Sequence, residues 1–193
     1  LGWTDIALIE RSELTSGSTW HAAGGFHTIN SDTNISALQG YTIKLYKELE
    51  ELSGQSCGLH HVGGITLAGT PDRMDYLKSE RAKHRYMGLD THIIGPEEIK
   101  ELSPITNVEG VIGGLYDPLD GHLDPSGTTH AYAMCARKLG AEIYLRNPVL
   151  ELNPQTDGSW QVVTKDGTIN AEYVVNAGGL WARELGEMVG IFL

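Results

Sequence analysis

The feature that most limits what this chain can fold into is a short apolar run ending in an acid, Ile6-Ala7-Leu8-Ile9-Glu10, followed by a stretch of small residues, Thr15-Ser16-Gly17-Ser18-Thr19-Trp20-His21-Ala22-Ala23-Gly24-Gly25. The run reads as a short apolar strand. Gly17, Gly24 and Gly25 allow close backbone approach, and Ser18 and Thr19 are good N-caps for a short helix starting at Trp20. Free N–H groups at such a start face a phosphate. Glu10 lies where the second strand of a dinucleotide-binding fold ends, the position from which a carboxylate accepts both hydroxyls of the adenosine ribose. Arg11 joins it there. One strand end thus holds the ribose and the next loop the pyrophosphate, which places His21 towards the ring end of the same cofactor.

The stretch ERSELTSGSTWHAAGG resembles the flavin-attachment segment of the dimethylglycine and sarcosine dehydrogenases. That family is FAD-dependent, and the resemblance implies that His21 bonds covalently to the 8α-methyl carbon of the flavin, with Trp20, Ala22 and Ala23 lining the same stretch. The nucleophile in such a bond is a neutral imidazole, and the positive end of a helix disfavours imidazolium. The alternative is a histidine that packs beside the cofactor and never bonds it.

Leu1-Gly2 reads as the end of a helix, and Trp3-Thr4-Asp5 as a turn into the first strand. In a dinucleotide fold the ribose acid follows the glycine-rich loop by about 20 residues, and the chain has no G-x-G-x-x-G pattern after a strand. The expectation is therefore an α/β, Rossmann-type FAD-binding domain whose first strand and glycine loop lie before Leu1. An inserted α+β substrate unit and a β-meander complete it. The boundaries expected are 1–57 and 125–193 for the flavin-binding parts and 58–124 for the insertion.

Hydrophobic residues make up 40% of the chain, enough for a core, and no apolar run is long enough to cross a bilayer. The formal charge of −11 argues against nucleic acid or an anionic membrane surface as a partner. An acidic body suits a bacterial cytoplasm or a mitochondrial matrix equally. Cys57 and Cys135 are too few for a disulfide framework or a zinc site.

Apolar positions from about Ile35 to Ser53 recur at helical spacing and predict an amphipathic helix ended by Gly54. Short strands are expected at Ile65 to Ala68, Thr91 to Ile94 and Val111 to Tyr116. Two helices stand between them, one opened by Thr70-Pro71 and closed by Gly88, the other opened by Gly95-Pro96 and stopped by Pro104. Asp117, Asp120, His122 and Asp124 fail the calcium-loop and zinc patterns, so turn chemistry is the reading there and no metal site is expected. A helix from Ser126 to Leu139 follows Asp124-Pro125. A strand at Ala141 to Leu145 and a meander turning at Asp157-Gly158 and Asp166-Gly167 come next.

The resemblance implies that the backbone at Val149 hydrogen-bonds the adenine; the plainer reading is a strand residue without a ligand. Finally Tyr173-Val174-Val175-Asn176 predicts an apolar strand running into a glycine turn and a helix, Ala182 to Val189. Flavoproteins of the amine-oxidising group carry a similar V-V-N-A-x-G motif near the cofactor, which adds Ala177, Gly178 and Trp181 to the binding set.

The resemblance implies oxidation of the N-methyl group of a methylated glycine, dimethylglycine or sarcosine, by hydride transfer to covalent FAD. It places the catalytic groups beyond Leu193 and names a methylated amine, tetrahydrofolate and an electron-transfer flavoprotein as partners. Two alternatives are a D-amino-acid or glycine oxidase with dissociable FAD, and a non-catalytic subunit related to the pyruvate dehydrogenase phosphatase regulatory protein. Trp20-His21 favours the enzyme.

Overall fold

The computed structural model describes residues 2–28, 30 and 32–192, so the helix end read at Leu1 lies outside the described residues. Along the chain these residues form β1 (Ala7–Ile9), β2 (Gly25–Phe26), α1 (Thr33–Ser53), β3 (Gly64–Ala68), α2 (Pro71–Tyr86), β4 (His92–Ile94) and α3 (Pro96–Leu102). There follow β5 (Gly113–Asp117), β6 (Gly121–His122), α4 (Pro125–Lys138), β7 (Glu142–Tyr144), β8 (Val149–Pro154), β9 (Trp160–Thr164), β10 (Gly167–Ala171) and α5 (Ala182–Glu187). Two compact units result, Leu1–Ala22 with Tyr132–Leu193, and Ala23–Ala131.

In the first unit β1 pairs in parallel with β7, Ala7 opposite Glu142 and Ile9 opposite Tyr144. The pairing continues past the strand ends, where the Glu10 amide donates to the Tyr144 carbonyl (2.8 Å) and the Asn147 amide to the Glu10 carbonyl (3.0 Å). The meander has the order β10-β9-β8, with both pairs antiparallel. Its second turn differs from expectation by one position. Gly167 pairs with Thr164, so Lys165 and Asp166 make the turn and the glycine already belongs to β10.

The strand expected at Tyr173 to Asn176 is not formed: these residues lie in no ladder, with Tyr173 68% and Val175 82% exposed. The β-branched side chains among them favour extended backbone, but a strand exists only where its N–H and C=O groups find a partner chain. Among the described residues no strand lies alongside.

In the second unit the antiparallel sheet β3-β5-β4 sets Ile65 opposite Tyr116 and Ile93 opposite Leu115. Met74 and Leu77 of α2 pack on Ala68, Leu115 and Ile93 to form its core. The two longer helices, α1 and α2, start where a side chain accepts the orphan amides: Asp32 takes those of Asn34 and Ile35, and Thr70 takes that of Arg73. Asp32 explains why α1 opens earlier than its apolar spacing predicts. Gly54, at φ 74°, closes it. Beside this sheet β2 pairs with β6, Gly25 opposite His122, and an isolated bridge joins His60 to His122.

His84 of α2 is fully buried; its Nδ1 lies 3.2 Å from the Thr91 hydroxyl, and its Nε2 has no hydrogen-bond partner among the described residues. Burial holds the imidazole below its ordinary value, against the pull of Glu80 and Asp117. The folded state then binds fewer protons than the unfolded one, so this contribution is complete above about pH 6.5 and is lost as pH falls through the folded value. Urea midpoints are expected to drop between pH 7 and 5, and to drop less in His84→Gln. An equal drop in both would assign the acid sensitivity elsewhere.

Candidate functional site

The first unit gathers residues that are far apart in the chain. The Arg11 guanidinium stands 3.7 Å above the Trp181 ring, and a Cβ on Gly17 would meet the same ring at 3.5 Å. The end of β1, the Gly17 loop and the 177–181 turn therefore share one place. Glu10 presents its carboxylate there, with Oε1 accepting the Ser12 amide at 2.7 Å. In the third segment the Gly178 amide donates to Asn176 Oδ1 (3.1 Å) and its carbonyl accepts from Trp181 N–H (2.9 Å). A Cβ at Gly178 would lie 2.7 Å from the Leu185 Cδ1 methyl and 3.2 Å from the Ala182 nitrogen, so the turn packs closely on the start of α5.

The helix expected at Trp20 is shorter than its sequence suggests: Thr19–His21 form a single 3-10 turn, and Ser18, at the N-cap position, makes no side-chain capping bond. A single turn has too few aligned peptides to place a macrodipole at His21, contrary to the longer helix that the sequence predicts. The same shortness leaves the first amides of the turn uncapped, which suits an anion. Thr15, at φ 70°, holds a conformation that costs a threonine on the order of 1–3 kcal/mol, and it does so at the entry to this loop.

His21 is exposed, its ring centroid 3.8 Å from that of Trp20. Its Nδ1 lies 3.2 Å from the Gly17 carbonyl, which can only accept. Nδ1 therefore carries the proton and Nε2 the free lone pair. Ala22 closes the turn by donating to the Thr19 carbonyl at 3.1 Å. Val149 opens β8 opposite Thr164, just before a bulge. Because β8 is an edge strand of the meander, alternate backbone groups along it point away from β9, as an adenine contact requires.

Ala23, Gly24 and Gly25 belong to the second unit. Gly24, at φ 76°, would drive a Cβ to within 2.2 Å of the Leu123 carbonyl oxygen, while its own carbonyl accepts the Leu123 amide at 2.9 Å. Close approach does demand glycine at this position, and the approaching group is the Leu123 backbone.

Two sets of polar residues escape a reading of the sequence. Buried Asn147 donates its amide to Glu10 and accepts the Asp166 amide on Oδ1 (3.0 Å), clipping the meander to the end of β1. Asp117 and Asp120, read as turn residues, are 1% and 5% exposed. The Thr28 hydroxyl donates to Asp117, whose other oxygen accepts the Leu119 amide at 2.9 Å; the Thr28 amide donates to Asp120 at 3.0 Å. Burial pushes the Asp117 carboxyl up, opposed by these hydrogen bonds and reinforced by the charge of Asp120. The one signal in the sequence is two acids three positions apart directly after an apolar strand. Asp124 behaves as read, accepting the Ser126 amide at the start of α4 (2.9 Å).

The family model described as FAD dependent oxidoreductase matches residues 1–192. The chain belongs to that family. It is 44% identical over 190 residues to the mitochondrial dimethylglycine dehydrogenase of Rattus norvegicus, a match covering 98% of this chain and 22% of that protein. It is 36% identical over 197 residues to the mitochondrial sarcosine dehydrogenase of Homo sapiens, covering 99% of this chain and 22% of the relative. The chain thus spans about a fifth of the length of these curated relatives. Its backbone is similar to the crystal structure of L-proline dehydrogenase from P. horikoshii, with a TM-score of 0.88 and 28% identity, over 96% of this chain and 49% of that one. The α/β, Rossmann-type fold expected from the sequence is that of an FAD-dependent oxidoreductase of this family.

Proposed function

We propose that this chain carries the FAD-holding part of an enzyme that oxidises the N-methyl group of dimethylglycine or sarcosine, with the flavin bonded to His21. The observation that supports it most directly is the gathering of Glu10, Arg11, the uncapped Gly17 to His21 turn and Trp181 in one unit, with His21 Nε2 free. The donor set suits the cofactor. Glu10 supplies a carboxylate for the ribose hydroxyls, the turn supplies amides for the pyrophosphate, and edge strand β8 supplies backbone at Val149 for the adenine. Trp20 packs on the His21 ring and restrains it. FAD, when bound, supplies the acceptor for the hydride that leaves the substrate C–H. The protein orients it, and a carbon linked to imidazole nitrogen draws electron density from the ring system. The substrate is left as an iminium, which water hydrolyses or tetrahydrofolate traps. An electron-transfer flavoprotein is the proposed electron partner, and the mitochondrial matrix or a bacterial cytoplasm the proposed compartment.

The test is anaerobic mixing of the flavin-loaded protein with candidate amines while flavin absorbance is followed. Dimethylglycine and sarcosine are expected to bleach the flavin, and glycine and D-alanine to leave it oxidised. Faster bleaching by glycine or D-alanine would move the protein to the amino-acid oxidases. Glu10→Gln keeps the shape and loses charge-assisted hydrogen bonds, each stronger than its neutral counterpart by about a factor of two. In a His21→Ala background, where flavin exchanges freely, Glu10→Gln is expected to weaken FAD binding about tenfold. Unchanged binding would make Glu10 only the acceptor of the Ser12 amide.

A further inference from the structure

We propose that Arg146-Asn147, in the connection between β7 and β8, positions Glu10 against the backbone of Val149 and thereby makes the site selective for adenine. The inference rests on the reading that Glu10 receives the ribose of FAD and Val149 its adenine. Those two contacts come from distant parts of the chain, and one adenosine satisfies both only if they are held at a fixed separation. Residues between them must set it.

The connection is bonded to the Glu10 end through its backbone. β1 and β7 pair as far as Ile9 and Tyr144, and hydrogen bonds run on beyond the ladder. The Glu10 amide donates to the Tyr144 carbonyl (2.8 Å), the Asn147 amide to the Glu10 carbonyl (3.0 Å) and the Arg146 amide to the Ser12 carbonyl (2.8 Å). Ser12 passes the constraint on to the carboxylate, because its own amide donates to Glu10 Oε1 at 2.7 Å. Arg146 thus fixes Ser12, and Ser12 gives the Glu10 side chain its direction.

The same residues hold the meander on their other side. Asn147 is 4% exposed, and its Oδ1 accepts the Asp166 amide at 3.0 Å, while the Lys165 amide donates to the Pro148 carbonyl at 3.1 Å. Both bonds go to the turn between β9 and β10. Thr164, beside that turn, pairs with Val149, and an irregularity between Val149 and Glu151 bends β8 there, as bulges do where a strand is re-aimed beside a site. A chain of bonds therefore runs from the Glu10 carboxylate through Ser12, Arg146 and Asn147 to the turn and Val149.

Arg146 shows that this path is imposed. Its φ is 56°, which glycine adopts freely and an arginine only where its surroundings enforce it. Its Nε pairs with Glu13, so the side chain ties the connection a second time to the loop that follows Glu10. Pro148 stiffens the exit, since the residue before a proline is confined to extended backbone. A connection that only joined two strands would need none of these.

The test uses the His21→Ala background, in which flavin exchanges, and measures binding of FAD and of flavin hypoxanthine dinucleotide by equilibrium dialysis. The analogue keeps the ribose and phosphates but carries a carbonyl in place of the adenine amino group, which exchanges donor and acceptor where a peptide backbone would read the base. Protein with the intact connection is expected to prefer FAD about tenfold, the effect of one hydrogen bond left unmade. Asn147→Ala should lose that preference and bind both dinucleotides with the affinity of the analogue. Asn147→Asp, which keeps an acceptor for the Asp166 amide, should restore it. Arg146→Gly suits φ 56° and is expected to fold; released from Glu13, its preference should fall about threefold. An undiminished preference in Asn147→Ala, or in Arg146→Gly where Asn147→Ala does not fold, would overturn the proposal and leave Asn147 a structural clip, whatever the general loss of affinity. No preference in protein with the intact connection would overturn instead the reading of Val149 as the adenine contact.

Discussion

Gly24→Ala is expected to destabilise the protein by roughly 3–5 kcal/mol, enough to abolish a well-formed Ala23–Ala131 unit at 37 °C. Two costs combine. At φ 76° an alanine is in the left-handed region, which costs about 1–2 kcal/mol. Its Cβ would also lie 2.2 Å from the Leu123 carbonyl oxygen. That oxygen is backbone, and the Leu123 amide is bonded to Gly24 itself, so the overlap cannot be relieved without opening the β2–β6 junction. Gly25→Ala is the control: its Cβ would meet nothing closer than His27 Nε2 at 3.9 Å, and a loss under about 1 kcal/mol is expected. Urea unfolding of the three proteins decides. A Gly24→Ala variant as stable as wild type, but unable to hold flavin, would mean that the glycine serves the cofactor and not the fold.

His21→Ala is expected to convert an acid-stable flavin into an exchangeable one. Wild-type protein denatured in acid and run on a gel should keep flavin fluorescence in the protein band, and the variant should lose all of it to the supernatant. Binding before denaturation should persist in part, because Glu10, the Gly17 to His21 turn and the Val149 backbone are untouched. Turnover of bound flavin should fall, since the link draws electrons from the ring and eases hydride acceptance. The exposed ring, with Nδ1 set against the Gly17 carbonyl and Nε2 free, motivates this expectation. Flavin that washes out of denatured wild type would make His21 a neighbour of the cofactor and bring the dissociable-FAD oxidase reading forward.

Local chemistry is why so much of the chain was legible. The helices opened by Thr70-Pro71, Gly95-Pro96 and Asp124-Pro125 carry their own start signals, and the residues around Asp157-Gly158 and Asp166-Gly167 carry their own turns. The hairpin register was off by one place because Gly167 is glycine for its backbone angle at the first ladder position, φ 155°, and not for the turn before it. Tyr173 to Asn176 shows the opposite limit. Its side chains favour a strand, but pairing depends on what lies alongside, which no local pattern contains.

The sequence by itself determined the strand ending in Glu10, the small-residue loop with His21, the meander and the order in which these follow one another, because each is written in residues close together along the chain. Only the tertiary structure decided that Arg11, Gly17 and Trp181 meet, that Gly24 is glycine for the sake of Leu123, and that His27 and Thr28 are held by Asp120 and Asp117. Asp120 lies 93 positions from His27, and a carboxylate in a glycine-rich turn reads as a solvated turn residue until folding removes its water and supplies partners from the far side of the sequence.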